Sequence, residues 1–242
     1  MGKPIIGIVS SRKVDRENPF KNKTCFTDNF AKMVELSNGV PLGIVFPDGK
    51  FIEEEMEICD GFIFQGGSVI EPCQLMAIKY AIDNKKPILG ICLGMQTMAA
   101  YEWFKGNSFN NIEKDYLEEY EKQYLKEAKG HNTVDPFLMS DIEKSKHEVI
   151  LDKNSILYDI YKDDTLSFPS VHNYSVNESI FDKNSLFKIT GKSKDGTIEV
   201  IESLDSNYWM VGVQFHPELE KNNLILFKEF VNQCEKCKFD NK

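Results

Sequence analysis

Short apolar runs alternate with helix-forming segments through the first hundred residues, and this alternation constrains the fold more than any other feature. Continuous apolar strands are predicted at residues 4–11, 40–47, 61–67 and 87–92. Helices are predicted between them at residues 26–39, 51–60, 73–86 and 93–104. Strands that are apolar on every residue are typical of a parallel sheet with helices on both faces. The pattern therefore predicts an α/β fold, a three-layer sandwich with a mostly parallel central sheet flanked by helices.

The rest of the chain divides into a charged part and a strand-rich part. Residues 105–146 form a charged helical insertion, in which residues 113–128 predict one helix with tyrosines at four-residue spacing. This helix either lays one apolar stripe on the domain or covers a functional site. From residue 147 onwards several predicted strands extend the same sheet, and a helix at 222–234 closes it. We therefore expect a single domain over residues 1–242.

Composition excludes several classes of function. The formal net charge is −9 and the lysines are interleaved with acidic residues, which argues against nucleic acid as a partner. No apolar run reaches the length of a membrane span, and the N-terminus lacks a signal peptide pattern, so we expect a cytoplasmic protein without membrane attachment. The six cysteines are predicted to be free thiols. No Cys/His group has metal-ligand spacing and no glycine loop is suited to phosphate, so no metal and no cofactor are predicted.

The predicted strand at 87–92 ends in "GICLG", which has the glycine spacing of a nucleophile elbow with Cys92 in place of serine. A sharp turn from strand to helix exposes such a side chain, and the start of the helix favours the thiolate form. Taken alone, a cysteine at a strand end is more often a packing residue than a nucleophile. The motif therefore indicates catalysis only if a base accompanies it.

His216 is the candidate base. It lies in "VGVQFHPE", at the end of a predicted apolar strand and two residues before Glu218. Since sites form at the carboxyl ends of strands, we expect His216 to reach the same crevice as Cys92. Glu218 can accept a hydrogen bond from the other ring nitrogen and so fix the tautomer. The backbone N–H of Leu93 is the first predicted oxyanion donor. The glycine pair Gly66-Gly67, at the neighbouring strand end, is either the second donor or a plain turn.

Taken together, four motifs resemble the class I glutamine amidotransferase-like (flavodoxin-like) fold, and especially its free-standing γ-glutamyl hydrolase branch, such as γ-glutamyl-γ-aminobutyrate hydrolases. In chain order they are "GFIFQGG", "PILGICLGMQ", "GTIEVIES" and "VGVQFHPE". The resemblance covers nearly the whole chain. It implies that Cys92 is the nucleophile, His216 the base and Glu218 the acid that orients it. It also implies that Gly67 and Leu93 hold the oxyanion positions.

The resemblance also implies residues that bind the substrate. Gln96 matches a glutamine of the elbow helix that contacts the γ-glutamyl group. Ser170, Val171 and His172 resemble a segment whose backbone holds the α-amino and α-carboxylate ends, and His172 is also expected to face the substrate. Leu93 departs from these hydrolases, which usually carry arginine after the nucleophile, and matches synthase-linked amidotransferases instead.

The implied reaction is hydrolysis of the γ-glutamyl amide bond of glutamine or a γ-glutamyl amine through a thioester, without a metal ion. The expected partner is a small γ-glutamyl substrate, with a synthase or a second copy of the chain as further candidates. An alternative is a glutaminase subunit that delivers ammonia to a separate synthase. The "DGTIE" pattern and the His172 segment favour the first hypothesis. A third hypothesis, an inactive binding or redox-sensing protein, is disfavoured because the elbow, the base and Gln96 occur together.

Overall fold

A nine-stranded sheet forms the centre of the molecule. The structure, a computed structural model, describes residues 2–13, 15, 17–105, 114–132 and 142–240. Five adjacent strands are parallel, and four antiparallel strands continue the sheet on one side. In spatial order the strands are β4 (Val40–Ile44), β1 (Ile5–Val9), β5 (Gly61–Phe64), β6 (Ile88–Ile91), β13 (Met210–Val213), β12 (Ile198–Ser203), β11 (Phe187–Ser193), β8 (Lys146–Leu151) and β9 (Thr165–Pro169).

Two small antiparallel ribbons lie outside this sheet. One pairs β2 (Ser11–Lys13) with β3 (Lys23–Cys25), and the other pairs β7 (Leu125–Glu127) with β10 (Tyr174–Val176). The second ribbon joins the charged insertion to the strand-rich part of the chain.

Helices cover both faces of the central sheet. They are α1 (Asp28–Leu36), α2 (Glu53–Glu57), α3 (Pro72–Asp83), α4 (Leu93–Phe104), α5 (Lys114–Tyr124), α6 (Ile156–Tyr161) and α7 (Leu224–Asp240). Ile78 of α3 and Met95 of α4 belong to one core cluster, while Phe30 of α1 and Phe227 of α7 belong to a second. Every residue of β5 and β6 is buried, as expected for strands covered on both faces. The predicted three-layer α/β fold is confirmed.

The predicted elements of the parallel half agree in type with the observed ones, and α4 has the predicted bounds. One short helix interrupts the predicted run of strands after residue 147. The Ser155 hydroxyl accepts a hydrogen bond from the Tyr158 N–H at 3.0 Å and so caps α6. In the described part of the chain, no helix is both long and apolar enough to cross a membrane.

The charged insertion is only partly the helix that was predicted over residues 113–128. Its helix, α5, ends at Tyr124, and the next three residues form β7 because they pair with β10. The buried Tyr124 ring packs on Phe104 of α4, with ring centroids 6.1 Å apart. Much of the remaining predicted insertion at 105–146 lies outside the described residues.

Candidate active site

Three loops at the carboxyl ends of neighbouring parallel strands converge at one edge of the sheet. Cys92 directly follows β6, Gly66 and Gly67 come shortly after β5, and His216 comes shortly after β13. Because β6 pairs in parallel with both β5 and β13, its loop lies between the other two. The elbow, the glycine pair and the candidate base are therefore parts of one site.

Cys92 has a backbone conformation that residues with a side chain rarely adopt. Its φ is 54° and its ψ is −107°, at the residue that precedes α4. Such a conformation costs about 1–3 kcal/mol and persists only where the surroundings hold it. Here the Cys92 N–H donates to the Val213 carbonyl at 2.8 Å, and the Cys92 carbonyl accepts from the Gln96 N–H at 3.2 Å. The strained turn that the elbow motif predicts is present.

The two glycines of "GICLG" allow close packing around this turn. A Cβ on Gly94 would lie 2.0 Å from the carbonyl oxygen of Phe64, so the first turn of α4 rests directly on the backbone at the end of β5. A Cβ on Gly90 would lie 2.6 Å from Sδ of Met98. The glycine spacing around Cys92 is therefore required by packing on either side of the turn.

His216 and Glu218 form a buried, hydrogen-bonded pair. Nδ1 of the His216 ring lies 2.7 Å from Oε1 of Glu218. The backbone N–H of His216 donates to the Pro169 carbonyl at 2.8 Å. Burial alone lowers the pKa of His216. The negative charges of Glu218 and of a Cys92 thiolate, with hydrogen bonds to both groups, outweigh burial and raise this pKa well above its ordinary value of 6.5. An imidazole in this place holds its proton at neutral pH.

Gly66, shortly after β5, lies close to the side chains of both Cys92 and His216. A Cβ on Gly66 would lie 3.1 Å from Cε1 of His216 and 3.6 Å from Cβ of Cys92. Gly66 is thus in contact with both residues, which places Cys92 and His216 side by side. The sequence marked the glycine pair as a turn, and this contact explains why its first member carries no side chain.

A cavity of about 400 Å³ opens beside Cys92. This volume is within the range of small-molecule sites, about 300–1,000 Å³. The cavity is lined by Gly67, Ser68, Val69, Ile70, Cys92, Leu93, Gln96, Leu117, Glu121, Tyr124, Leu125, Asn132, Val171, His172, Asn173 and Tyr174. Cys92 is only 8% exposed, and this cavity is where it reaches the surface of the protein.

Gly67 and Leu93, the predicted oxyanion residues, lie next to each other in the cavity wall. A Cβ on Gly67 would lie 2.8 Å from Cδ2 of Leu93. Leu93 is the first residue of α4, and N–H groups in the first turn of a helix have no partner within the helix. Leu93 directly follows Cys92 in the chain, and Gly67 packs on Leu93 in the wall of the same cavity.

Gln96, predicted to contact the γ-glutamyl group, also lines the cavity and is buried. Its Nε2 donates to the Tyr174 carbonyl at 2.9 Å and to Oε1 of Gln214 at 3.2 Å. These hydrogen bonds fix the orientation of the amide group and connect α4 to β10.

The segment of residues 170–172 is predicted to hold the substrate through its backbone. Val171 and His172 line the cavity, whereas Ser170 does not, and its buried hydroxyl has no hydrogen-bond partner among the described residues. His172 was expected to face the substrate, but its ring nitrogens face protein atoms. Nδ1 lies 3.0 Å from the Tyr174 carbonyl oxygen, and Nε2 lies 3.4 Å from Oε1 of Glu199.

Sequence reasoning missed one group of residues that the fold brings together. His131, His147, His172 and Glu199, called the histidine cluster below, place one nitrogen or oxygen each within 4.8 Å of one another. These side chains could hold a metal ion. No local spacing in the sequence indicates this group, because its members come from separate parts of the chain.

The charged insertion also contributes to the cavity in a way that the sequence left open. Leu117, Glu121 and Tyr124 of α5 and Leu125 of β7 line the cavity. The predicted helix was expected either to pack on the domain with one stripe or to cover a functional site. The observed α5 does both, because it packs on α4 and borders the cavity.

Comparison with known proteins identifies the class. The sequence model of the peptidase C26 family matches residues 4–77 and 73–218, and the chain belongs to this family. Among solved structures, the glutaminase domain of Trypanosoma brucei CTPS with bound acivicin superimposes with a TM-score of 0.70 at 16% identity, covering 97% of this chain and 94% of that one. A glutamine amidotransferase from Thermotoga maritima superimposes with a TM-score of 0.58 at 14% identity, covering 98% and 86%. The chain therefore has the fold of glutaminase-type cysteine hydrolases.

Several characterised proteins are similar in sequence to most of this chain. A CTP synthase from Nautilia profundicola is 31% identical over 211 residues, which are 78% of this chain and 38% of that protein. Protein NtpR from Enterococcus hirae is 27% identical over 238 residues, covering 89% of this chain and 91% of that protein. The chain spans 32% to 38% of the length of five CTP synthases that it matches. These relatives do not single out the γ-glutamyl-γ-aminobutyrate hydrolase branch, which stays a prediction.

Proposed function

We propose that the protein is a cysteine-dependent hydrolase that cleaves the γ-glutamyl amide bond of glutamine or a γ-glutamyl amine and releases glutamate. The observation that carries this proposal is the strained Cys92 turn beside the hydrogen-bonded pair of His216 and Glu218, at the edge of a cavity of about 400 Å³. Membership of the peptidase C26 family supports a hydrolase of this kind.

In the first half of the reaction, the Cys92 thiolate attacks the γ-amide carbonyl and a carbon–sulfur bond forms. The raised pKa of His216 keeps a proton on its imidazole ring. This imidazolium gives its proton to the amide nitrogen as the carbon–nitrogen bond breaks, so the amine or ammonia leaves neutral. The product that remains is a γ-glutamyl thioester on Cys92.

In the second half, water hydrolyses the thioester. His216, now neutral, takes a proton from a water molecule whose oxygen attacks the thioester carbonyl. The carbon–sulfur bond breaks, glutamate leaves, and the thiolate–imidazolium pair is restored. Glu218 holds the ring through Nδ1 in both halves, so that Nε2 faces the reacting atoms.

The backbone around Cys92 is suited to stabilise the negative oxygen of both tetrahedral intermediates. We assign this role to the N–H groups of Gly67 and Leu93, which line the same cavity as Cys92 and pack on each other. Gln96 and the backbone of residues 170–172 would bind the glutamyl part of the substrate. Ser170 would act through its backbone alone, since its side chain does not reach the cavity.

A second candidate is a glutaminase subunit that delivers ammonia to a separate synthase. Two observations favour it: the similarity to CTP synthases, of which the chain spans about a third, and Leu93, which matches synthase-linked amidotransferases. The same Cys92 chemistry serves both candidates, and they differ in whether hydrolysis needs a partner.

The test is a screen of glutamine and a set of γ-glutamyl amines with glutamate release as the readout. We expect turnover of at least one substrate by the wild type and none by Cys92→Ala. Cys25→Ala is the matched control, because Cys25 is a half-buried free cysteine outside the cavity lining. Turnover of glutamine only with an added synthase would favour the second candidate. Equal turnover by Cys92→Ala and Cys25→Ala would refute both.

A further inference from the structure

Three of the four histidines surround one buried carboxylate in the antiparallel half of the sheet. Nδ1 of His131 lies 3.4 Å from Oε1 of Glu199, Nε2 of His147 lies 3.0 Å from it, and Nε2 of His172 lies 3.4 Å from it. Glu199 lies on β12 and is fully buried. The histidine cluster lies outside the Cys92, His216 and Glu218 chemistry, which makes no use of it.

These short contacts lack the geometry of hydrogen bonds. Within the described ranges, the three facing nitrogens and both carboxylate oxygens of Glu199 are buried without a hydrogen-bond partner. Among the described residues, the ion-pair partners of Glu199 are all histidines. Buried polar atoms are paired in the great majority of proteins, so five unpaired atoms at one point require an explanation.

Each ring has an inner nitrogen that faces Glu199 and an outer nitrogen that faces away from it. In His131 and His172, the hydrogen bond of the outer nitrogen indicates whether the inner nitrogen carries a proton. Nε2 of His131 lies 3.0 Å from Oδ2 of Asp195, and Nδ1 of His172 lies 3.0 Å from the Tyr174 carbonyl oxygen. Both oxygens accept hydrogen bonds, so each ring donates its outer N–H. In a neutral ring the inner nitrogen then carries a lone pair that faces Glu199. Lone pairs and a carboxylate repel one another unless a cation lies between them.

The nitrogen–oxygen distances of the histidine cluster are close to those around a bound metal ion, and its four ligand atoms lie within 4.8 Å of one another. Zinc holds nitrogen and oxygen ligands at about 2.0–2.2 Å, which in a tetrahedron places ligand atoms roughly 3.3–3.6 Å apart. The observed nitrogen–oxygen distances around Glu199 are 3.4, 3.0 and 3.4 Å. By contrast, the hydrogen-bonded pair of His216 and Glu218 is 2.7 Å apart.

We propose that His131, His147, His172 and Glu199 bind a divalent transition-metal ion, with Zn²⁺ as the preferred occupant. Three imidazole nitrogens and one carboxylate oxygen are ligands of the types that this ion takes. Asp195 holds the outer nitrogen of His131, an arrangement that typically orients a ligating histidine. The two charges of the ion offset the carboxylates of Glu199 and Asp195.

A four-ligand site of this kind is structural, because no ligand position stays open for water or substrate. The ion would connect β8, β12, the segment after β7 and the loop before β10. That loop includes His172, whose neighbours Val171 and Tyr174 line the Cys92 cavity. An effect of the metal on hydrolysis rests on the function proposed above, whereas metal binding itself is independent of it.

The test uses the full chain, stripped with a chelator and titrated with Zn²⁺ by calorimetry and with Co²⁺ by visible absorption. We expect one ion per chain and the strong visible bands of tetrahedral Co²⁺, which Zn²⁺ abolishes. Glu199→Gln should lower the affinity more than about 100-fold, and Asp195→Asn, outside the ligand set, about 10- to 100-fold. The Asp195 side chain is half-exposed, so this variant tests the site without disturbing the core.

His216→Asn is the matched control, because it removes the one histidine outside the cluster and should leave metal affinity unchanged. Circular dichroism of each variant establishes that it is folded before its affinity is compared. Absence of stoichiometric binding to the folded wild type would overturn the proposal. So would weak, octahedral Co²⁺ binding that Glu199→Gln and Asp195→Asn leave unchanged.

Discussion

Two buried groups of imidazole and carboxylate in this chain share a composition and differ in geometry. His216 and Glu218 form one hydrogen bond of 2.7 Å, and the same ring also meets Cys92. In the histidine cluster, Glu199 meets three rings at 3.0 to 3.4 Å without a hydrogen bond. A single oriented pair holds and transfers a proton, whereas converging lone pairs are arranged to hold a cation. Residue types alone do not separate these two uses.

One segment of chain connects the two groups. The Pro169 carbonyl, at the end of β9, accepts a hydrogen bond from the backbone N–H of His216 at 2.8 Å. Shortly after it, His172 enters the histidine cluster and Val171 lines the cavity. We therefore expect changes at His216 to affect proton transfer and changes at His172 to affect how firmly its loop is held. The experiments below separate the two effects.

The largest expected effect is that of Cys92→Ala. Removing the nucleophile should reduce glutamate release by about 10⁶-fold, the scale found when an enzyme loses its nucleophile. Metal content should stay at the wild-type level, because Cys92 is outside the histidine cluster. Glutamate assays and elemental analysis of one preparation check both halves. Loss of the metal together with the activity would show that the two groups are not separate.

The next effect is that of Glu218→Gln. The carboxylate charge raises the pKa of His216, so the amide should lower that pKa and reduce kcat by about 10²- to 10⁴-fold. Since the reactive form needs a protonated His216, kcat/KM falls as pH rises through this pKa. In the variant, this fall should begin at lower pH. A pH profile and imidazole NMR of both proteins measure the shift, and an unchanged alkaline fall would contradict the assignment.

Gly66→Ala tests the contact between the two reactive side chains. The added methyl would lie 3.1 Å from Cε1 of His216, tighter than an ordinary contact, so the ring must shift by a few tenths of an ångström from its place beside Cys92. A displacement of this size should lower kcat by up to about 10²-fold while the substrate still binds. Steady-state kinetics of this variant, with Gly2→Ala as a control whose surroundings are open and whose φ is not positive, provide the measurement. Equal kcat in both variants would count against the close approach at Gly66.

The smallest effect is expected from removing the metal. Without it, the loop that carries Val171 and His172 should be less well held, so KM should rise by about 5-fold while kcat changes little. The measurement is the kinetics of glutamate release before and after chelation, with Zn²⁺ added back to restore KM. A large fall in kcat with unchanged KM would instead place the histidine cluster in the chemistry.

Much of the site could be predicted from sequence because its parts are local motifs on neighbouring strands. A strained turn, a glycine pair and a histidine after an apolar strand each leave a short signal. The parallel sheet then brings Cys92 and His216 together, since strand ends of one direction share an edge. Here the fold class was sufficient to place the residues.

The histidine cluster could not be predicted in this way. Glu199 and His147 come together through the antiparallel order of β12, β11 and β8, and His131 through the ribbon of β7 with β10. None of these pairings has a spacing that can be read along the chain. The end of α5 at Tyr124 escaped prediction for the same reason, because partner strand β10 decides it.

The central claim is that Cys92 carries a covalent γ-glutamyl intermediate. Incubation with a γ-glutamyl diazoketone, followed by intact-mass measurement and peptide mapping, tests it directly. We expect a single adduct per chain on the peptide that contains Cys92, and none on His216→Asn at the same exposure time. An adduct on Cys25 or another cysteine, with Cys92 unmodified, would contradict it.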